Sequence, residues 1–284
     1  MKDSRKACTW LQQWALSHPI LAFPMLYIGW AYLFWTPLLL SESSVWAFPN
    51  ILWFLIGGAS PVIAGLSLSA LTGGRAQLRD LARRLLDWRR IPGMWWLVIV
   101  SFWLVFDVAM AGLAVLLGIT DSPLDVNWSL FLDPGLLVFL LLLSFVFPAV
   151  EEVGLRGYYL DTLQRRLDLT NAGLVNGLVW AAWHAPFVWF PGYYANTTFD
   201  PALSWWLPMI VCHTLLIVQV YNSTRRSILA VLIFHGLMNF TGEWLRISRD
   251  MYPFILSGNV FVALLLIAYW KKRKAPDIGI KAHL

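Results

Sequence analysis

Three short motifs in the second half of the chain carry side chains capable of chemistry: Glu151-Glu152-x-x-x-Arg156, Trp180-x-x-x-His184 and His235-x-x-x-Asn239. Residues four apart share one face of a helix, so Arg156 is placed to hold Glu152, while Glu151 is turned about 100° away and stays free. His235 and Asn239 face the same way by the same rule. A carboxylate beside a histidine can activate water as a general base, and a second imidazole with an amide N–H can stabilise the oxyanion of a tetrahedral intermediate. That chemistry is amide hydrolysis without a covalent nucleophile. Two histidines and a carboxylate are also a common catalytic zinc set, with Glu151, His184 and His235 as the ligands, so the cofactor is either none or Zn2+. The chain has no HExxH, and Asn239 is a poor zinc ligand but a good oxyanion donor, which favours the metal-free alternative.

Taken singly, each motif has a structural explanation. A charged helix end accounts for the first, a packed aromatic wall around Trp180, Trp183 and Pro186 for the second, and an interhelical hydrogen-bond clamp for the third. Each nevertheless sits in or beside a segment apolar enough to cross a bilayer, where polar side chains are costly unless paired or lining a wet cavity. The residues are 59% hydrophobic and 13% charged, with 18 Trp, against roughly 25% charged in a soluble domain. Continuous apolar runs, rather than alternating ones, exclude a β-barrel and indicate an all-α, polytopic membrane protein.

Windows of about 20 apolar residues give about eight spans. They fall at 19–40, 51–71, 94–119, 132–150, 171–190, 205–221, 228–245 and 254–270. The first is long and Trp-rich and lacks a small-residue exit, so it is expected to remain in the mature protein. Residues 1–18 form an N-terminal arm, 19–270 the transmembrane domain, and 271–284 a basic tail. With both termini in the cytoplasm, 19 of the 21 Lys and Arg fall on that side and only Arg246 and Arg249 opposite, as the positive-inside rule requires. The expected location is the cell membrane. The net charge of +5 then reads as orientation and contact with anionic lipid at the cytoplasmic face, with no motif for nucleic acid. Residues 75–90 place Leu78, Leu81, Ala82, Leu85 and Leu86 on one face against Arg75, Arg79, Arg83, Arg84 and Arg90, which predicts an interfacial amphipathic helix. Cys8 and Cys212 lie in the arm and in a span, so a structural disulfide is not expected.

The spans at 132–150 and 171–190 read as an αα-hairpin, with Thr170 or Asn171 capping its second arm. From Leu169, Glu151 is about 27 Å back and His184 about 22 Å forward at 1.5 Å per residue, so the two share a depth. Asp107, His213 and Glu243 are further polar residues, the first two read as cavity lining or interhelical bonds and the third as interfacial.

The ordered set EExxxR, then xxxH in an aromatic helix, then HxxxN resembles the CPBP family of intramembrane proteases, which includes the Ras-converting type II CAAX prenyl endopeptidases. The resemblance covers roughly 145–240, within a protease-like core at about 130–250. It implies Glu151 as the water-activating carboxylate with His184 as its partner, His235 and Asn239 as the oxyanion-binding pair, and Glu152 and Arg156 as supporting residues. The family motif usually reads FxxxH, and Trp180 stands here in place of the Phe. Family members are described both as metalloproteases and as metal-free glutamate proteases. The expectation is a membrane endopeptidase whose cavity opens toward the cytoplasm and sideways to lipid, acting on membrane-associated proteins or peptides. A prenylated CAAX C-terminus is one such substrate where the host makes it. The alternatives are a non-catalytic immunity or scaffold protein of the same fold, a zinc-dependent protease, and a transporter using the same polar site.

Overall fold

The computed structural model describes residues 9–195, 199 and 201–272. In chain order the α-helices are α1 (Trp10–Ser17), α2 (Pro19–Leu39), α3 (Asn50–Gly58), α4 (Ser60–Leu86), α5 (Gly93–Leu116), α6 (Pro134–Gly154), α7 (Asp161–Gln164), α8 (Leu169–His184), α9 (Leu203–Ser223), α10 (Ile228–Leu245) and α11 (Tyr252–Lys272). Among the described residues the sole β feature is an isolated bridge between Leu124 and Ile247. The protein is an all-α polytopic membrane protein. Outward positions of α2, α5 and α11 carry large apolar side chains such as Met25, Leu33, Leu97, Val105, Phe261 and Leu264, an exposed belt that only lipid makes favourable.

Seven helical stretches among the described residues are long and apolar enough to cross a membrane, one fewer than the windows give. The difference is the segment at 171–190. Its helix α8 has 16 residues and passes into a 3₁₀ turn at Ala185–Trp189. Pro186 lies at the start of that turn, where its missing N–H and fixed φ stop the α-helix although the hydropathy continues. The helix is capped by Asp168, two to three residues earlier than expected, through a 3.0 Å bond from the Asn171 backbone N–H. That hydrogen bond holds the Asp168 carboxyl below its ordinary range.

Residues 75–86 form a helical stretch of their own, set off from the first part of α4 by a kink at Gly74, whose non-helical φ of 60° and ψ of −150° few other residues adopt. Arg84, however, departs from the amphipathic pattern. It is 1% exposed and donates to the Tyr221 hydroxyl at 2.6 Å and to the Gly157 carbonyl at 2.7 Å, beside Asp161 at 3.2 Å and Asp80 at 2.8 Å. Arg226 closes the same cluster on Asp161. An arginine at helical spacing thus clamps α4 to α9 and to the chain after α6, rather than facing lipid headgroups.

The bundle has two distinct ends. At one, 75–90, Arg165–Arg166, Arg225–Arg226 and the end of α11 come together, with the Arg90 guanidinium donating to the Arg225 carbonyl at 2.8 Å. At the other, the loops meet through Val45 N–H to the Pro191 carbonyl at 2.7 Å, Asn127 N–H to the Trp244 carbonyl at 2.9 Å and Ser248 N–H to the Pro123 carbonyl at 3.0 Å.

Helix α6 is the element that positions the chemistry. It packs on α10 and α4. The approach to α4 is backbone to backbone: a Cβ on Gly154 would lie 2.0 Å from the Pro61 carbonyl oxygen, and one on Gly65 would lie 2.7 Å from the Gly154 Cα. Membrane helices use such small-residue contacts because dispersion and not the hydrophobic effect holds them together. Immediately after Gly154 the chain widens into a π-helical turn, Leu155–Leu160, a local irregularity common at functional sites.

Candidate active site

Glu151 and Glu152 end the regular part of α6, and both are buried. The pairing expected from the four-residue spacing is present: Arg156 Nη1 lies 2.8 Å from Glu152 Oε1, with both side chains 0% exposed. The same Oε1 also meets His235 Nδ1 of α10 at 2.8 Å. Glu152 is therefore the joint between α6 and α10. It fixes the imidazole of His235 by one nitrogen and leaves the other for different work.

Glu151 points elsewhere, as the 100° offset predicts. Its Oε2 accepts a 2.6 Å hydrogen bond from the indole Nε1–H of Trp180 on α8. Sequence reasoning did not assign this contact; the sole signal was the Trp in the place of the usual Phe. Trp180 is the hub of the site. Its ring meets His184 and His235 edge-on at 5.3 and 5.1 Å, and the Arg156 guanidinium lies over it at 4.5 Å. One turn on, His184 Nδ1 bonds the Trp180 carbonyl at 3.1 Å. A nitrogen facing a carbonyl carries the proton, so Nε2 is left as the basic atom. Glu151 thus meets α8 at Trp180, one turn before His184, the residue that the hairpin arithmetic sets at its depth.

Glu151, His184, His235 and Asn239 all line one cavity of about 950 Å³. Its walls are largely apolar, formed by side chains such as Phe54, Phe147, Trp183 and Trp206. Further along it come Asp107, His213, Asn259 and Glu243, so the polar residues set aside in the sequence also face this space. Asp107 combines both roles foreseen for it, since its carboxylate also accepts from Thr241 of α10 at 3.3 Å. His213 packs edge-on against Trp103 at 5.0 Å. Tyr193, on the loop after α8, lines the same cavity, and burial, reinforced by the Glu151 carboxylate, holds its phenol above the ordinary range.

The cavity belongs to the half of the bundle away from the basic end. Its rim is Trp46, Asn127, Ser129, Tyr193 and Arg246, all from the opposite loops. Two sequence expectations therefore exclude each other, because the basic segments and the cavity cannot both face the cytoplasm.

The zinc alternative can be tested on the donor set. Among the described residues no group of three or more His, Cys, Asp or Glu side chains is arranged to hold a metal ion. Glu151, His184 and His235 as they stand do not make a zinc site, and the reading of this chain as a metalloprotease has no support in its geometry.

Fold and site together define a helical membrane protein with a carboxylate, two imidazoles and an amide gathered around one intramembrane cavity. Residues 133–241 match the family of type II CAAX prenyl endopeptidase Rce1-like proteins. Over 268 residues the chain is 28% identical to CAAX prenyl protease 2 of Methanococcus maripaludis, a match covering 90% of this chain and 94% of the relative. The resemblance carried by the three motifs is borne out by both matches, which support a CAAX/Rce1-like protein of the CPBP class.

Proposed function

We propose that the protein is an intramembrane endopeptidase in which Glu151 and His184 activate a water and His235 and Asn239 receive the oxyanion. The observation that carries this reading is the convergence of these four side chains, from α6, α8 and α10, on one cavity with apolar walls. In such a space a general base and oxyanion donors act without competition from bulk water. Each neighbour has a part. Glu152 orients His235, Arg156 balances Glu152, and Trp180 orients Glu151 through its N–H. The substrate is a polypeptide segment reaching the membrane; a prenylated C-terminus belongs to the same class and is suggested by the printed name of the archaeal relative.

The test is turnover of a peptide library by protein purified into nanodiscs, beside Glu151→Gln, which keeps the shape and loses the base. The expected result is loss of turnover with folding and peptide binding retained. Near-normal turnover in Glu151→Gln would remove Glu151 from the mechanism, and a folded wild type inert to the whole library favours the immunity or scaffold reading. Elemental analysis of the active protein adds a second arm, since one bound zinc per chain whose removal stops turnover overturns the metal-free reading.

A further inference from the structure

Asp107 of α5, His213 of α9 and Asn259 of α11 line the cavity but have no part in the proposed chemistry. They form a second polar group, tied to α10 by Trp103, which packs on His213 and donates its indole N–H to the Phe234 carbonyl at 2.9 Å, one residue before His235. Tight packing sets their positions. A Cβ on Gly258 would lie 2.6 Å from the Met110 sulfur, so α11 meets α5 closely just where Asn259 follows.

Two of the three are buried with acceptor oxygens left over. Asp107 is 7% exposed, and the Thr241 hydroxyl beside it at 3.3 Å has a single hydrogen and lies closer, at 2.9 Å, to the Leu237 carbonyl. Among the described residues Asp107 has no ion-pair partner, and Arg246 at the rim is bound to Asp125 at 3.4 Å. Asn259 is fully buried; its Nδ2 donates to the Ile255 carbonyl at 3.1 Å, while its Oδ1 faces His213 without reaching hydrogen-bond distance. A buried acceptor with no donor costs about 1–3 kcal/mol, and ionisable groups inside a membrane bundle mark functional positions. An extended polypeptide entering this apolar space brings the complementary need, because each of its residues carries a backbone N–H that water no longer satisfies.

We infer that Asp107, with Asn259 beside it, is a subsite that accepts N–H groups of the bound polypeptide and so fixes its register against Glu151. This rests on the proposed endopeptidase reading and deepens it. Asp107 stands at the level of Thr241, two residues and about 3 Å of rise along α10 from Asn239. An extended chain advances about 3.4 Å per residue, so the anchored N–H belongs to a residue within a few positions of the scissile bond. Its source is the substrate backbone or a basic side chain, which experiment separates.

The probe is a fluorescein-labelled hexapeptide of leucine and valine. One set of copies is methylated at each backbone nitrogen in turn, and another carries lysine at each position in turn. Binding to wild type, Asp107→Leu and Asp107→Asn in nanodiscs is followed by anisotropy, with empty nanodiscs subtracted. Expected is a loss of affinity of about 10- to 100-fold on methylating one particular nitrogen of the peptide, the effect of one unmade buried hydrogen bond. Asp107→Leu should bind the parent peptide more weakly by the same factor and be indifferent to that methyl group. A purely structural role for Asp107 would weaken all copies alike and leave the methylation profile intact, which overturns the inference, as does absence of binding to the wild type. Tighter binding of one lysine copy, lost in Asp107→Leu, assigns the N–H to a side chain instead of the backbone. Should the leucine variant fail to fold, Asp107→Asn keeps the shape with a weaker acceptor and is expected to show the same flattened profile in part; an unchanged profile overturns the inference. The same series as internally quenched substrates separates the two readings. An Asp107-dependent binding profile without hydrolysis of any copy removes the endopeptidase reading and keeps the subsite, whereas hydrolysis indifferent to Asp107 does the reverse.

Discussion

The ion pair between Arg156 and Glu152 is the most exposed part of this reasoning to measurement. Both side chains are fully buried, 2.8 Å apart, and the guanidinium lies 4.5 Å over Trp180. Removing one member of a buried pair leaves the other charge unbalanced, at a cost of about 3–5 kcal/mol. Arg156→Ala also loses a desolvated cation–π contact of about 2 kcal/mol. Against a total stability of roughly 5–15 kcal/mol, either single substitution is severe. Glu152→Gln with Arg156→Ala removes both charges, so the double variant is expected to lose less than the two singles added together, with a coupling of about 1–3 kcal/mol. Unfolding in nanodiscs, followed by tryptophan fluorescence across the four proteins of the cycle, measures this. The opposing expectation is concrete, since an i,i+4 ion pair on a helix contributes only about 0.3–0.5 kcal/mol where solvent screens it. A coupling within error of zero would refute the claim that the pair acts as one buried unit.

Three further outcomes are expected. Trp180→Phe keeps an aromatic ring but deletes the 2.6 Å donor to Glu151; a bond to a charged group is worth about 1.5–3 kcal/mol, so kcat should fall by about 10- to 100-fold with KM little changed, and unchanged kcat would remove Trp180 from the positioning role. Asn239→Ala should lower kcat by about two to three orders of magnitude, the usual effect of losing an oxyanion donor, with peptide binding retained in a direct binding assay. Gly154→Ala places a methyl group 2.0 Å from the Pro61 carbonyl oxygen, so α4 and α6 must separate; a loss of about 1–3 kcal/mol in the same unfolding assay is expected, and wild-type stability would show the contact to be looser than drawn.

Much of the architecture is legible because a bilayer imposes a length and an apolarity that any window can count. Segment 228–245 comes out of the sequence with the bounds that α10 has in the structure. The window fails at 171–190 because hydropathy does not register the end of a helix: Pro186 stops α8 while Phe187, Val188 and Trp189 keep the average high. It fails differently at Arg84. Helical spacing assigns that residue to a polar stripe, and nothing local reveals Asp161, 77 positions away, or Tyr221, 137 away, that draw it into the interior.

The site divides along the same line. The bond between Glu152 and Arg156 spans four residues and follows from helix geometry alone. Those that give the site its shape, Glu152 to His235 across 83 residues and Trp180 to Glu151 across 29, need the fold. The Trp in place of Phe is visible as a departure from pattern, yet its meaning is not, because a larger ring and a new donor make opposite suggestions until the carboxylate is seen beside it. The charge asymmetry behaves likewise. Counting Lys and Arg orients the helices but is silent about which half of them encloses the cavity, and the motif residues sit near enough to mid-depth to suit either side. Only when the buried stretch 151–163 and the rim at Asn127 and Ser129 are seen on opposite sides of Glu151 does the cavity acquire a direction along the bundle.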